Sequence, residues 1–131
     1  YLGDYGIWLM ALFGAAAVLV FGVSQSPLAM PKNVIGGHML TAMIGVVFSY
    51  YSADSAIMIG LAVGIAITLM IITKTIHPAA GANPILIIES GQSWDFLIMP
   101  VLAGTVFIVL SGFVARWFIQ YLMDNKYKKT A

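Results

Sequence analysis

The stretch "TKTIHPAAGANPILIIE" at residues 73–89 decides the fold, because it interrupts a chain that is otherwise strongly apolar. It places a lysine, a histidine, two prolines, a glycine and an asparagine between two long apolar segments. Pro78 has no N–H to donate and disfavours helical geometry at His77. The apolar run after Gly81 is long enough to resume a short helix, with Pro84 in the first turn, where a missing N–H costs little. The sequence therefore predicts a broken helix with a histidine at the break.

The composition places this break inside a membrane protein. Of the 131 residues, 61% are hydrophobic and 8% are charged, whereas a soluble domain carries roughly 25% charged residues. A spanning helix needs about 20 apolar residues, and the long uncharged stretches satisfy that length. These stretches are 5–31, 33–53, 55–73 and 96–115. We therefore expect an all-α, polytopic membrane protein, with residues 1–131 forming a single transmembrane domain in the lipid bilayer.

Five apolar segments are separated by short connectors that carry turn signals. The segments are 5–23, 34–51, 56–73, 75–89 and 96–122. If 75–89 crosses the membrane, Lys32, Lys74 and the lysine-rich tail lie on one side, as the positive-inside rule favours. A re-entrant loop at 75–89 would put the tail on the opposite side. The charges predict five crossings in the inner (plasma) membrane, with the C-terminus in the cytoplasm.

The sequence also carries an internal repeat. At an offset of 67 residues, 14–47 aligns with 81–114 without gaps, and nine residue pairs are identical. Segment 56–73 has no partner, so each unit would hold three crossings and the first helix of the first unit would precede Tyr1. An odd number of crossings inverts one unit relative to the other, as in many transporters. The alternative is a chance match between two apolar stretches.

Two helix breaks follow from this repeat. The helix that resumes after the first break presents free N–H groups and the positive end of its dipole near Gly81, Ala82 and Asn83. The matching position in the other unit is Gly14 and Ala15. Two inverted half-helices whose N-termini meet would bind an anion. The alternative is a kinked helix that packs through its glycines and binds no ligand.

Polar side chains near the breaks complete the predicted substrate site. His38 and His77 are ionisable groups in apolar segments, which makes them functional candidates. A neutral imidazole donates a hydrogen bond to an anion, and a protonated one couples transport to protons; the alternative is a bond to freed backbone groups. Asn33 offers an amide donor or caps the helix that follows it. Lys32 and Lys74 attract anions toward the site, or they only fix the topology.

Glycines spaced along the apolar segments predict close helix contacts. Because the chain is short for a transporter, we also expect a homo-oligomer. The glycines concerned are Gly60 and Gly64, Gly37 and Gly45, and Gly104 and Gly112.

Several function classes lack the residues they need. The chain has no cysteine, and two histidines with few carboxylates make a poor metal site. No nucleophile–base pair, phosphate-binding loop or cofactor motif occurs. We therefore expect no catalysis, no cofactor and no bound metal. The net charge of +1 gives no indication of nucleic-acid binding.

Three motifs resemble the HPP family of integral membrane proteins. They are "FGAAAVLVFG" at 13–22, "SPLAMPKNVIGGH" at 26–38 and "TKTIHPAAGANPILI" at 73–87. The resemblance extends over about 7–122, nearly the whole chain. It implies at least four transmembrane segments. Plastid and cyanobacterial members are linked to nitrite transport, so the resemblance also implies a nitrite-like substrate.

The chain departs from the motif that gives the family its name, His-Pro-Pro. His77 and Pro78 match it, but Ala79 replaces the second proline. This replacement affects the expected rigidity of the break more than its existence.

The leading hypothesis is a transporter or channel for a small inorganic anion, which works by alternating access around the half-helix N-termini. An alternative is a helical membrane subunit that packs against a partner protein and transports nothing. A further alternative is a sensor that binds the anion without moving it across the membrane.

Overall fold

The computed structural model describes residues 5–51 and 55–128 of the chain. These residues form α-helices joined by short connectors, and no strand occurs among them, so the all-α prediction is confirmed. The α-helices are α1 (Tyr5–Ala17), α2 (Pro31–Tyr51), α3 (Ala56–Ile72), α4 (Asn83–Glu89) and α5 (Ala103–Lys128).

Shorter helical pieces extend or precede these helices. A π-helix, Val18–Gly22, continues α1, and a second, Leu97–Leu102, leads into α5. Two 3₁₀-helices, Pro27–Ala29 and Pro78–Ala82, precede α2 and α4. Each of the five predicted apolar segments is therefore helical over most of its length.

The predicted break lies between α3 and α4. His77 has extended backbone geometry, with φ −138° and ψ 110°, and Pro78 begins the 3₁₀-helix after it. Pro84 lies in the first turn of α4, as predicted. Helix α3 already ends at Ile72, and Pro78 takes the first position of the new 3₁₀-helix, where its missing N–H costs little.

Both helices that flank the break end in the same backbone motif. At the end of α4, Gly91 takes a φ of +61°, and Gln92 N–H reaches back to the Ile87 carbonyl at 3.1 Å. At the end of α3, Lys74 takes the corresponding left-handed position, with a φ of 54°. Thr75 N–H then donates to the Met70 carbonyl at 2.9 Å. Glycine is the usual residue at this position, so the Lys74 backbone is held in a conformation that costs a non-glycine residue energy.

Side-chain contacts give the direction of each segment. Gly37, early in α2, lies against His77, which precedes α4. Gly45, eight positions later in α2, lies against Pro84 and Ile87 of α4. Both segments therefore advance in the same direction, and α4 runs parallel to α2. The contact of Met70 with Gly37 places the end of α3 beside the start of α2, so these two helices are antiparallel.

The remaining directions follow in the same way. The start of α5 packs at Gly104 against Phe13, and Gly112 packs against Val20, so α5 runs parallel to α1. Val20, in the π-helix that continues α1, clusters with Val34 near the start of α2, so these two segments are antiparallel. The chain therefore reverses direction between successive segments.

Two apolar layers form the core. One contains Leu9, Leu12, Ala42, Val46, Leu86, Ile87, Phe96, Leu97 and Val101. The other contains Ala16, Val20, Val34, Ala79, Ile108 and Val109. Phe13 packs against both layers. Position 38 lies between the two layers, because Val34 and Ala42 of α2 belong to different layers. Position 83 lies between Ala79 of the preceding 3₁₀-helix and Leu86 of α4, which also belong to different layers.

The predicted break at Gly14 and Ala15 does not form. Helix α1 is continuous over Tyr5–Ala17, and both residues are exposed on the outside of the bundle. "FGAAA" contains no proline, so nothing removes a donor from the helical ladder there. The irregularity in this segment comes later, as the π-helix at Val18–Gly22.

Two described helices are long and apolar enough to cross a membrane, Pro31–Tyr51 and Leu97–Lys126. Two shorter apolar helices, Ala11–Gly22 and Ala56–Ile72, accompany them.

Candidate functional site

The fold brings His38 and His77 together inside the bundle. Neither side chain has any exposed surface. Their ring centroids lie 5.1 Å apart, and the ring planes are inclined by 51°. The two predicted histidines thus form one buried pair, although 39 positions separate them along the chain (77 − 38).

Two consecutive glycines on α2 allow this approach. A Cβ at Gly37 would lie 2.7 Å from the Thr75 carbonyl oxygen and 3.1 Å from His77 Cβ. A Cβ at Gly36 would lie 3.1 Å from the Thr75 methyl carbon. Any side chain at position 37 would push the break away from α2, so the sequence "GGH" sets the distance between the rings.

A backbone carbonyl fixes the tautomer of His77. Its Nδ1 lies 2.8 Å from the Leu28 carbonyl oxygen, in the 3₁₀-helix before α2. A carbonyl oxygen only accepts, so Nδ1 carries the hydrogen. In the neutral ring, Nε2 is therefore an acceptor with a free lone pair.

Asn83 fixes the opposite tautomer of His38. The Asn83 amide nitrogen donates to the His38 carbonyl oxygen at 3.0 Å and to Thr41 Oγ1 at 2.9 Å. The same nitrogen lies 3.1 Å from His38 Nδ1. An amide NH₂ group is a donor, so His38 Nδ1 is unprotonated and Nε2 carries the hydrogen. Thr41 Oγ1 is free to accept because it donates its own hydrogen to the Gly37 carbonyl at 2.9 Å.

The two Nε2 atoms remain without a partner. Both are buried and make no hydrogen bond within the protein. Buried polar groups are nearly always paired, and each exception calls for an explanation. Here one ring presents an N–H and the other a lone pair, so the two neighbouring rings offer one donor and one acceptor in the buried interior.

The comparison with known families decides what kind of protein this is. A family model described as the HPP transmembrane region matches residues 2–127. The chain belongs to the HPP family. The resemblance drawn from the motifs is thereby confirmed, and the HPP protein is a membrane protein.

The HPP protein is similar to two transmembrane proteins of Dictyostelium discoideum. One is 36% identical over 120 residues, which cover 86% of this chain and 42% of the relative. The other is 36% identical over 122 residues, which cover 87% of this chain and 39% of the relative. The chain thus spans about two fifths of the length of these relatives. No solved structure matches it.

The start of α4 in the HPP protein differs from the predicted open half-helix. Asn83 N–H donates to the Ala80 carbonyl, because the 3₁₀-helix Pro78–Ala82 leads directly into α4. Pro84 has no N–H. The free N–H predicted at Asn83 is therefore absent, and Gly81 and Ala82 lie half-buried in the 3₁₀-helix.

Gly14 and Ala15 lie away from the histidine pair. A Cβ at Gly14 would have nothing within 4 Å, whereas its neighbour Phe13 faces the His38 ring at a centroid distance of 6.1 Å. The aromatic ring of α1, rather than its glycine, reaches the site.

Asn33 holds the two connectors around the site together. Its amide nitrogen donates to the Pro27 carbonyl at 2.9 Å and to the Ile76 carbonyl at 3.2 Å. It lies inside α2, which begins at Pro31, so the alternative that it caps this helix is wrong. Lys32 and Lys74 are both exposed at the same end of the bundle, outside the buried pair.

Thr41 and the Leu28 carbonyl are the parts of the site that sequence reasoning missed. Thr41 lies three positions after His38, on the same face of α2, and that spacing could have indicated it. Leu28 contributes only its backbone, so no side-chain pattern could have found it.

Within the described residues, no group of three or more metal-ligating side chains occurs. Their carboxylates, Glu89, Asp95 and Asp124, are all exposed. The histidine pair therefore has no acidic partner among them.

Proposed function

We propose that the HPP protein is a transporter for a small inorganic anion, and that the anion binds between His38 Nε2 and His77 Nε2. The observation that carries this proposal is the pair of buried Nε2 atoms without a partner. Leaving a buried polar group unpaired costs about 1–3 kcal/mol, so an anion that accepts the hydrogen of His38 Nε2 recovers part of that free energy.

The chemistry around the pair favours an anion over a cation. The carboxylates of the described residues are all exposed, so a cation at the pair would have no countercharge. An anion would receive the His38 N–H, and Lys32 and Lys74 at the nearer end of the bundle would attract it. Nitrite is the first substrate to test, since family resemblance implies it and its delocalised charge suits imidazole donors.

The proposed site differs in its donors from the one that the sequence suggests. The imidazoles replace the half-helix N-termini as the main donors, because the 3₁₀-helix satisfies Asn83 N–H. Asn83 and Thr41 act as positioning residues that orient His38.

The proposed mechanism is alternating access across five crossings by two inverted units. Successive segments run in opposite directions, as five crossings require, and this would place Lys32, Lys74 and the C-terminal tail on one side. The repeat-related helices α1 and α4 run in opposite directions, and so do α2 and α5, as inversion requires. The proposed location is the plasma membrane, with the C-terminus in the cytoplasm.

Uptake of nitrite by liposomes that contain the purified protein tests this function. We expect saturable uptake above protein-free liposomes. His38→Ala or His77→Ala should reduce it about tenfold or more, since a hydrogen bond to a charged group is worth about 1.5–3 kcal/mol.

Gln120→Leu serves as the control variant, because Gln120 is exposed on α5 and belongs to neither the histidine pair nor its hydrogen-bond network. It should transport like the wild type. If the folded protein takes up neither nitrite nor any other small anion, the proposed function is wrong.

A second candidate is a helical membrane subunit that packs through α3 against a second copy of this chain. Gly60 and Gly64 are exposed on α3, and a Cβ at either would meet nothing within 4 Å. They border an open cavity of about 370 Å³ together with Leu61, Ile65, Thr68 and Leu69. Small residues let a second helix approach closely, and we propose a second copy of this chain there.

Cross-linking of Gly64→Cys in membranes should give a dimer band, and its absence would contradict this contact.

A further inference from the structure

We propose that the histidine pair binds one proton together with one anion, so that the HPP protein carries the two across the membrane as a neutral pair. The inference rests on the proposed anion transport and adds the co-transported ion and its binding atom. The proton binds at His77 Nε2.

The hydrogen-bond network leaves a single atom for that proton. His38 Nδ1 faces the donating amide of Asn83 at 3.1 Å, so it has no room for a hydrogen. His77 Nδ1 already carries a hydrogen, which it donates to Leu28. His38 Nε2 carries the hydrogen of the neutral ring. His77 Nε2 is therefore the one ring nitrogen of the pair that can gain a proton without breaking a hydrogen bond.

Protonation there converts the pair into a site with two donors. Before protonation, the His77 lone pair would repel an anion. Afterwards, both Nε2 atoms present N–H groups, and the imidazolium supplies one positive charge. Charge-assisted hydrogen bonds of this kind are about twice as strong as neutral ones, and a planar monovalent anion such as nitrite accepts one on each of two oxygens.

The apolar surroundings of the pair couple the binding of the proton tightly to the binding of the anion. Thr41 and Asn83, which form the hydrogen-bond network with His38, are buried, and so is Thr75 on the connector before His77. From α1, Phe13 faces the site, and Met70 of α3 lies beside Gly37. The titratable group that faces each ring is the other histidine, while Lys32 and Lys74 are exposed. An isolated charge in such surroundings is costly, so a proton alone or an anion alone binds poorly, and each strengthens the binding of the other.

The transport step then moves no net charge. One proton and one anion enter from one side, with the proton on His77 Nε2, and both leave to the other side. No bond within the anion forms or breaks. Flux should respond to a pH gradient and should not respond to the membrane potential.

Liposomes that contain the full chain, a pH-sensitive dye and a potassium gradient with valinomycin test this coupling. An inward nitrite gradient should acidify the interior, with equal amounts of proton and nitrite entering, above the rate in protein-free liposomes. An imposed potential of about 100 mV would change the accumulation ratio about fiftyfold for a carrier of one net charge. We expect no change.

The outcomes separate the two proposals. Nitrite uptake that is sensitive to potential and moves no protons overturns the coupling and leaves anion transport standing. The absence of any uptake overturns both. In His77→Gln, a side-chain amide replaces the titratable nitrogen, so the remaining flux should become sensitive to the potential. If that variant remains electroneutral, His77 is not the proton site.

A measurement on the wild-type protein tests the proton site without depending on whether a variant folds. With ¹⁵N-labelled histidine, NMR at a fixed neutral pH should show His77 Nε2 as a lone-pair nitrogen without nitrite and as an N–H once nitrite is saturating. An unchanged Nε2 signal, with nitrite bound by another criterion, contradicts the proposal.

Discussion

Asn83 holds His38 in one tautomer, because its amide N–H group faces His38 Nδ1 and leaves no room for a hydrogen on that nitrogen. Its nitrogen is within 3.1 Å of three acceptors, two of them on His38 and one on Thr41. Because Asn83 has only two amide hydrogens, the three acceptors share them. The consequence is a fixed orientation of the His38 ring, with its N–H directed away from Asn83.

Thr41 is the residue at which this network can be tested with the smallest change in shape. Thr41→Val removes the hydroxyl that accepts from Asn83 and donates to the Gly37 carbonyl. We expect the free energy of unfolding to fall by about 0.5–1.5 kcal/mol, the net value of a typical hydrogen bond, since His38 still offers two acceptors to the two amide hydrogens of Asn83. Unfolding titrations in mixed lipid–detergent micelles measure the change.

Thr68→Val is the matched control for that measurement. Thr68 Oγ1 also donates to the carbonyl four positions earlier, Gly64, at 2.8 Å, but it is exposed. We expect little change in its free energy of unfolding. Equal losses in the two variants would show that the hydroxyl matters only to its own helix, and would argue against the Asn83 network.

At the scale of the helices, glycines on α2 set how closely the broken segment packs. Gly37 accommodates the connector at His77, and Gly45 accommodates α4 two turns later. The two contacts lie on either side of His38, so they fix both the separation and the direction of α4. The histidine pair therefore depends on α2 and α4 remaining in close contact along their shared length.

Gly45→Ala tests this contact. The added Cβ would lie 3.0 Å from Ile87 Cβ and 3.0 Å from Pro84 Cα, so α4 would have to move outward. Overpacking of this kind typically costs about 1–3 kcal/mol, and we expect a lower free energy of unfolding in the same micelle assay. Gly64→Ala is the control, because nothing lies within 4 Å of its Cβ position. If the two variants are equally stable, the contact of α4 with Gly45 is not close.

At the scale of the whole molecule, two apolar layers enclose one polar layer. Val34 and Val46 on α2 belong to different layers, with His38 between them. At a rise of about 1.5 Å per residue, His38 lies roughly 10 Å from the start of α2 and 20 Å from its end. The polar layer is thus nearer to the end of the bundle that carries Lys32 and Lys74.

The absence of cysteine from the sequence makes the five-crossing topology straightforward to test. Single cysteines at Gln25, Lys74 and Asp124 should react with a membrane-impermeant maleimide from one side, and cysteines at Tyr51 and Trp94 from the other. All five positions are exposed. Labelling of intact and lysed spheroplasts separates the sides. Reaction of Asp124→Cys from the same side as Trp94→Cys would contradict five crossings.

Local chemistry made parts of the fold predictable. An interruption near Pro78 is predictable, because the missing N–H belongs to the residue itself, although α3 already ends at Ile72. Gly45 and Gly37 indicate close contacts for a similar reason, since the absence of a side chain permits them in any context. The break predicted at Gly14 was wrong because a glycine permits a break without causing one.

The sequence by itself determined that the chain is helical and membrane-embedded, that it breaks at His77, and that two histidines lie within apolar segments. Those features follow from side-chain hydrophobicity and from backbone groups that a residue has or lacks. Only the tertiary structure decided which ring nitrogens are paired. That outcome depends on whether Leu28 and Asn83, 49 and 45 positions away from the rings they bond, come within hydrogen-bond distance. Packing of whole helices sets such distances, so the two free Nε2 atoms become visible only in the folded chain.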